Sequence, residues 1–338
     1  MLGALCISID VELAWGIWDK PSADYHDRCA QNEATIVRRL VALFETYQIS
    51  ATWAIVGRLL ERDDGAARST VHGDRIWYAP EVIEQIRRAR VPQDIGSHSY
   101  GHVYFGETPR DALRRDLAAA RRVHDAHGLP FTSFVFPRNQ VAHLDLLREA
   151  GVGVFRSTDR GWHMTVRDRL GTGAGRVANL ADKLLPIPPS PVQPVEHVLG
   201  RASGDTVEHV PEHAAEHIPE HAAEHIPGHA AEHAPGHADG HAADRDAVLV
   251  ELPSSMLLMA RNGLRRAIHP ESIIGKARLG LGAARRTGGI FHLWFHPSNF
   301  YYEPDRQLAT LEGVVAAAAA MRDRGQLEIR TMSSYRKA

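Results

Sequence analysis

The sequence predicts a parallel α/β fold that closes into a barrel rather than staying an open sheet. Short apolar or alternating segments of strand length recur along the chain. Amphipathic stretches of helical period lie between the early ones. Seven or eight strands alternating with helices in one chain favour a barrel.

The elements follow in order. Leu5 to Glu12 reads as the first strand, because apolar Ile7, Ile9 and Val11 alternate with Ser8, Asp10 and Glu12. Glu33 to Tyr47 places Ile36, Leu40, Leu43, Phe44 and Tyr47 on one helical face. Ala51 to Val56 is the second strand. Pro80 to Arg90 opens with proline in a first helical turn. Asp94 to Ser97 is a short third strand. The charged, alanine-rich stretch from Pro109 to His127 carries Leu113 and Leu117 as its apolar line. Ser133 to Phe136 is a strand, and His143 to Ala150 is a helix stopped by Gly151. Val152 to Arg156, Ala247 to Leu252, Ile290 to Phe295 and Leu327 to Thr331 complete the strands.

Composition excludes several classes. Of 338 residues, 39 are Lys or Arg and 41 are Asp or Glu, so no strongly basic footprint for nucleic acid or a membrane surface exists. Cys6 and Cys29 are too few for a disulfide framework and lack zinc-finger spacing. The opening Met1 to Asp10 has neither a basic start nor a cleavage site, and no apolar run approaches the ~20 residues of a membrane span. A cytoplasmic protein with no integral membrane segment is expected.

One segment breaks the pattern. A histidine falls at every fourth position from His209 to His241, and prolines recur at 211, 219, 227 and 235. A spacing of four stacks side chains on one helical face, but the prolines forbid a continuous helix. The tract also lacks large apolar residues with which to bury a core. Residues 208–243 are therefore expected to be a disordered, repeat-expanded insertion in an otherwise single domain spanning 1–338. A metal-handling role for the tract is the competing reading.

Four segments carry candidate chemistry. Asp10 and Glu12 face one side at the C-terminal end of the first strand, where β/α barrels gather catalytic groups. Neighbouring acids repel unless a cation or a shared proton relieves them; the bland alternative is ordinary surface acids in a solvated loop. In Gly96-Ser97-His98-Ser99-Tyr100-Gly101-His102, two histidines four apart on a helical turn converge on one point, a common way to hold a divalent metal. Two histidines with one carboxylate leave coordination positions open, which suits catalysis. In Ile290 to Pro297, His296 lies at a strand end and suits general-acid work, whereas His292 sits deeper and reads as a satisfied core histidine. At another strand end, Arg138 can pair with a carboxylate and keep it ionised, or simply close the strand at the surface.

Together and in this order these segments resemble the polysaccharide deacetylase family, the NodB-homology or carbohydrate esterase family 4 group. The residues that carry the resemblance are Ser8 to Glu12, Ala51 to Gly57, His98-Ser99-Tyr100-Gly101-His102, Phe136 to Asn139 and Leu293 to Pro297. The His-Ser-x-x-His element is the most specific. The resemblance implies a distorted (β/α) barrel of about seven strands and a divalent metal, zinc first among the transition metals. It implies that Asp10 is the catalytic base, His98 and His102 the metal histidines, His296 the catalytic acid and Arg138 the arginine that holds the base. Val11 stands where the family has a second aspartate. Because alternation turns Val11 away, Glu12 becomes the metal carboxylate. The usual Arg-x-Pro order is replaced by Pro137-Arg138-Asn139, which leaves the oxyanion donors unplaced.

The expected activity is metal-dependent removal of an N-acetyl group from an amino sugar or sugar-containing precursor, with a carbohydrate as the partner. The alternatives are hydrolysis of another non-peptide C–N bond, of deformylase or cyclic imide type, and an inactive carbohydrate-binding relative. Trp15, Trp18, Trp53, Tyr100, Tyr104, Phe300 and Tyr301 lie near the motifs, as sugar-stacking surfaces or as core. The arginines between Arg261 and Arg286 fit a solvated helix face, or contacts to phosphate.

Overall fold

The computed structural model describes residues 2–61, 73–158, 188–198 and 248–337, with a few positions between 166 and 173. The histidine-rich tract, 208–243, lies outside them.

Among the described residues, ten strands form one sheet. They are β1 (Gly3–Val11), β2 (Thr52–Ile55), β3 (Asp94–Ser97), β4 (Ser133–Val135), β5 (Val154–Ser157), β6 (Val195–His197), β7 (Leu249–Pro253), β8 (Met256–Leu257), β9 (Ile290–Phe295) and β10 (Leu327–Arg330). Backbone pairing runs in parallel from β9 through β1, β2, β3, β4 and β5 to β7. Two residues after β7 the chain changes neighbours. Ser254 N–H still donates to Ser157 C=O at 3.1 Å, whereas Ser255 N–H donates to His292 C=O at 2.8 Å. β8 then lies beside β9. With β7 and β8 as one bent stave, the circuit closes into a distorted β/α barrel. β10 pairs with the N-terminal half of β1, and antiparallel β6 flanks β7. Neither β6 nor β8 carries a sequence pattern long enough to announce it.

The α-helices described in full are α1 (Ala23–Tyr47), α2 (Pro80–Arg87), α3 (Arg110–Ala126), α4 (Leu144–Glu149), α5 (Pro270–Thr287) and α6 (Pro304–Asp323). α1 begins ten residues before the periodic stretch that predicts it, capped by the Ser22 hydroxyl, which accepts from Tyr25 N–H. α5 lies close against the sheet, because a Cβ at Gly280 would come within 2.6 Å of the Phe291 ring. No helix among the described residues is long and apolar enough to cross a membrane. Cys6 and Cys29 are both buried and unpaired.

Strand alternation divides the apolar residues of β1 between two of the core clusters. Leu5, Ile7, Ile9 and Val11 face the helices and join one large apolar cluster. Ala4, Cys6, Val135, Val154, Val250, Leu252, Ile290 and Met332 form a separate cluster, the apolar bottom of the barrel. Further along the same strands the inward residues turn polar: first Ser8, Arg156 and His292, all fully buried, then Asp10 and His296. The column of side chains thus ends in charge at the C-terminal mouth.

Candidate active site

Asp10 ends the inward row of β1 at 2 % exposure. Arg156 of β5 grips it with two parallel hydrogen bonds, Nη1 to Oδ1 and Nη2 to Oδ2, each 2.7 Å. Burial pushes the Asp10 carboxyl upward, but Arg156, His296 and His98 together outweigh it and hold the group below its usual range.

The arginine that meets Asp10 is therefore not Arg138. Arg138 and Asn139 both have positive φ, 52° and 54°. The turn sends Arg138 to the rim, where it donates to Asp19 at 2.8 and 3.0 Å and lies over the Tyr104 ring. Asn139 takes the inward place and accepts from Arg156 Nη2 at 3.0 Å. The sequence signal for Arg156 was modest but real: a charged residue on the inward beat of the apolar strand Val154 to Ser157.

Glu12 follows β1 in a non-strand conformation, yet its carboxylate turns into the mouth. Its Oε1 lies 3.0 Å from His296 Nε2, 3.1 Å from His98 Nε2 and 3.5 Å from His102 Nε2. Burial opposes its ionisation, but His296 and His102 hold it well below the usual carboxylate value. A Cβ at Gly16 would stand 1.8 Å from Glu12 Oε2, so glycine leaves room for this carboxylate.

His98 and His102 are not on a helical turn, as their spacing suggests. Ser99 and His102 both have positive φ, 63° and 56°, and the segment is an irregular loop. Asp116 of α3 replaces the missing helical bonds, accepting from Tyr100 N–H at 2.9 Å and Gly101 N–H at 2.8 Å. Burial raises the Asp116 carboxyl to about 6 against those donors. Nothing in the helix sequence singles it out among its charged neighbours.

The donor set fits a cation. His98 Nδ1–H donates to Val135 C=O at 2.8 Å, so in the neutral ring only a lone pair at Nε2 faces Glu12 Oε1. Two acceptors facing each other need a positive centre between them. Both ring nitrogens of His102 are buried without a hydrogen bond, and burial holds that ring below the usual imidazole value. Glu12, His98 and His102 form one cluster with ligand atoms within 4.8 Å of one another; Asp10, Glu12 and His296 form another. The first is the better cation site, because both Asp10 oxygens already accept from Arg156.

His296 closes the group, with Nε2 3.6 Å from Asp10 Oδ2. Burial disfavours its cation, yet Glu12 and Asp10 raise it to about 9. Its backbone N–H donates to Asn299 Oδ1 at 2.8 Å. His292 is enclosed below, bonded to Ser8 Oγ and Pro253 C=O. Trp53, Phe300, Tyr301 and Trp15 are core residues, whereas Trp18 and Tyr104 stack at 5.9 Å beside His102. Arg261 is no surface arginine: at 1 % exposure it bonds Glu303, Ile268 C=O and Arg266 C=O.

Residues 25–152 match the family model of polysaccharide deacetylase. That span contains His98, His102 and Arg138, whereas Asp10, Glu12, Arg156 and His296 lie outside it. Among solved structures, the chain is similar to a polysaccharide deacetylase candidate from Mycobacterium smegmatis at 20% identity and TM-score 0.60, covering 98% of this chain and 87% of that one. A second candidate, from Pseudomonas aeruginosa PAO1, aligns at 11% identity and TM-score 0.54 over 98% and 88% of the two chains. PuuE allantoinase aligns at 10% identity and TM-score 0.54 over the same shares. At these identities the likeness is one of fold. No protein of curated function matches the sequence.

Proposed function

For a chain that resembles the polysaccharide deacetylase family, we propose the removal of an N-acetyl group from an amino sugar or sugar-containing precursor, with a divalent cation, zinc by its donor set, held by Glu12, His98 and His102. The observation that carries this reading is the approach of Asp10 Oδ2 and His296 Nε2 to 3.6 Å beside Glu12 Oε1. Asp10, held ionised by Arg156, and the His296 ring nitrogen stand within reach of a single reacting centre.

The bound ion supplies Lewis acidity, making water more acidic and polarising an acyl carbonyl. Asp10 takes the proton of the attacking water on the oxygen lone pairs that Arg156 leaves free. His296 Nε2–H delivers a proton to the departing amine nitrogen, so water and amide become acid and amine. Arg156 keeps the base ionised and aimed. Trp18, half-buried and backed by Tyr104, offers an aromatic surface to a sugar.

The test is a panel of N-acetylated and N-formylated sugars and a cyclic imide, read by released acid or ring opening with and without chelator. Chelator-sensitive release of acetate supports the reading. Turnover confined to the imide favours a different C–N hydrolase. Asp10→Asn is expected to abolish turnover with metal content unchanged; full activity in that variant removes Asp10 as the base.

A further inference from the structure

We propose that Ser8 and His292, neither of which reaches the mouth of the barrel, are positioning residues that hold Arg156 and through it the base Asp10. The inference rests on the reading of Asp10 as the base.

Arg156 is fully buried on the inner face of β5. Its terminal nitrogens have four acceptors. Nη1 donates to Asp10 Oδ1 at 2.7 Å and to Ser8 Oγ at 3.0 Å; Nη2 donates to Asp10 Oδ2 at 2.7 Å and to Asn139 Oδ1 at 3.0 Å. The guanidinium carbon lies 4.3 Å from the Trp294 ring centre. The plane and the rotation of the guanidinium are both set, and with them the direction of the Asp10 carboxylate.

Ser8 can accept from Arg156 only while its own proton points elsewhere. Among the described residues that proton has one acceptor, His292 Nε2, at 2.9 Å. For Nε2 to accept, the ring must carry its proton on Nδ1, which faces Pro253 C=O at 3.2 Å. The donor order therefore runs His292 Nδ1–H to Pro253, Ser8 Oγ–H to His292, and Arg156 Nη1–H to Ser8. The Pro253 carbonyl can only accept, so it closes the chain at the end of β7. A core histidine of purely apolar worth would not need this tautomer. This one spans β9, β1 and β5 with a single directed row of bonds ending on the catalytic carboxylate.

The experiment compares Ser8→Ala, His292→Leu and His292→Gln in the zinc-loaded full chain, with Asp10→Asn as reference. Ser8→Ala removes one oxygen and is the variant least able to disturb folding. His292→Leu removes the acceptor, whereas His292→Gln offers a side-chain carbonyl near the place of Nε2. Ser8→Ala and His292→Leu are expected to lower kcat roughly ten- to hundredfold, as misaimed catalytic groups do, with KM within about twofold. Zinc content is expected to stay at the wild-type level, and His292→Gln to recover most of the loss. Wild-type kcat in Ser8→Ala, with Asp10→Asn inactive, overturns the proposal and leaves the base assignment standing. Equal impairment of His292→Gln and His292→Leu also overturns it, as a packing role. Full activity in Asp10→Asn fails the underlying reading instead.

Discussion

Arg156 and Asp10 meet through two parallel hydrogen bonds of 2.7 Å between β5 and β1, with Arg156 fully buried and Asp10 nearly so. A buried pair of this kind is sensitive to the loss of one member, because the survivor is left charged and unpaired. Arg156→Met is expected to destabilise the fold by about 3–5 kcal/mol, read from the denaturant midpoint. Arg156→Lys keeps the charge but cannot make the two-pronged contact, and its kcat is expected to fall roughly a hundredfold. Arg138→Ala, at the rim, is expected to change kcat by no more than a few-fold. The reverse ranking would restore Arg138 as the partner of the base.

Gly16 offers a test of Glu12 that deletes no polar group. A methyl group at position 16 would occupy the space of Glu12 Oε2. Gly16→Ala is expected to weaken zinc binding roughly ten- to hundredfold, measured by competition with a chromophoric chelator. The melting temperature should move little, because the displaced carboxylate can swing toward solvent. Unchanged zinc affinity would mean that Glu12 is not a ligand.

Stability should fall with acid through two buried histidines that are not among the proposed cation ligands. Burial pushes His124 down to about 4, and burial with Arg156 pushes His292 down to about 3. Both rings stay neutral in the folded protein while their unfolded counterparts protonate near the ordinary value of 6.5. The unfolded state then binds more protons, so stability is complete above about pH 6.5 and is lost as pH falls toward the folded values. Each ring is expected to cost about 2 kcal/mol at pH 5 relative to neutral pH. His124→Phe should flatten part of this slope in urea titrations at several pH values, and an unaltered slope would contradict the assignment.

Much of the fold was legible because strand alternation is a local signal. It oriented Asp10, sorted Ile7, Ile9 and Val11 to the helix side, and placed His296 at a strand end. Asp94–Ser97 and Ile290–Phe295 stand where the pattern puts them. What stayed hidden is non-local. Arg138 follows β4 and Arg156 lies within β5, so alternation turns Arg156 inward while the positive φ pair at 138–139 turns Arg138 out to the rim. The start of α1 is set by the Ser22 cap rather than by apolar period, because its first turns carry mostly polar residues. β6 and β8 are three and two residues long and owe their strand form to their neighbours. Asp116 acts through backbone N–H groups of a loop that helical spacing alone misdescribes.

The proposed cation lies between Glu12, His98 and His102, with Asp10 and His296 beside it. Anomalous scattering at the zinc edge from crystals of the zinc-loaded protein reads that directly. A peak bonded to Glu12 and to Nε2 of both histidines is expected, with Asp10 still gripped by Arg156. A peak bonded to Asp10 and His296, with His98 and His102 unligated, would contradict it.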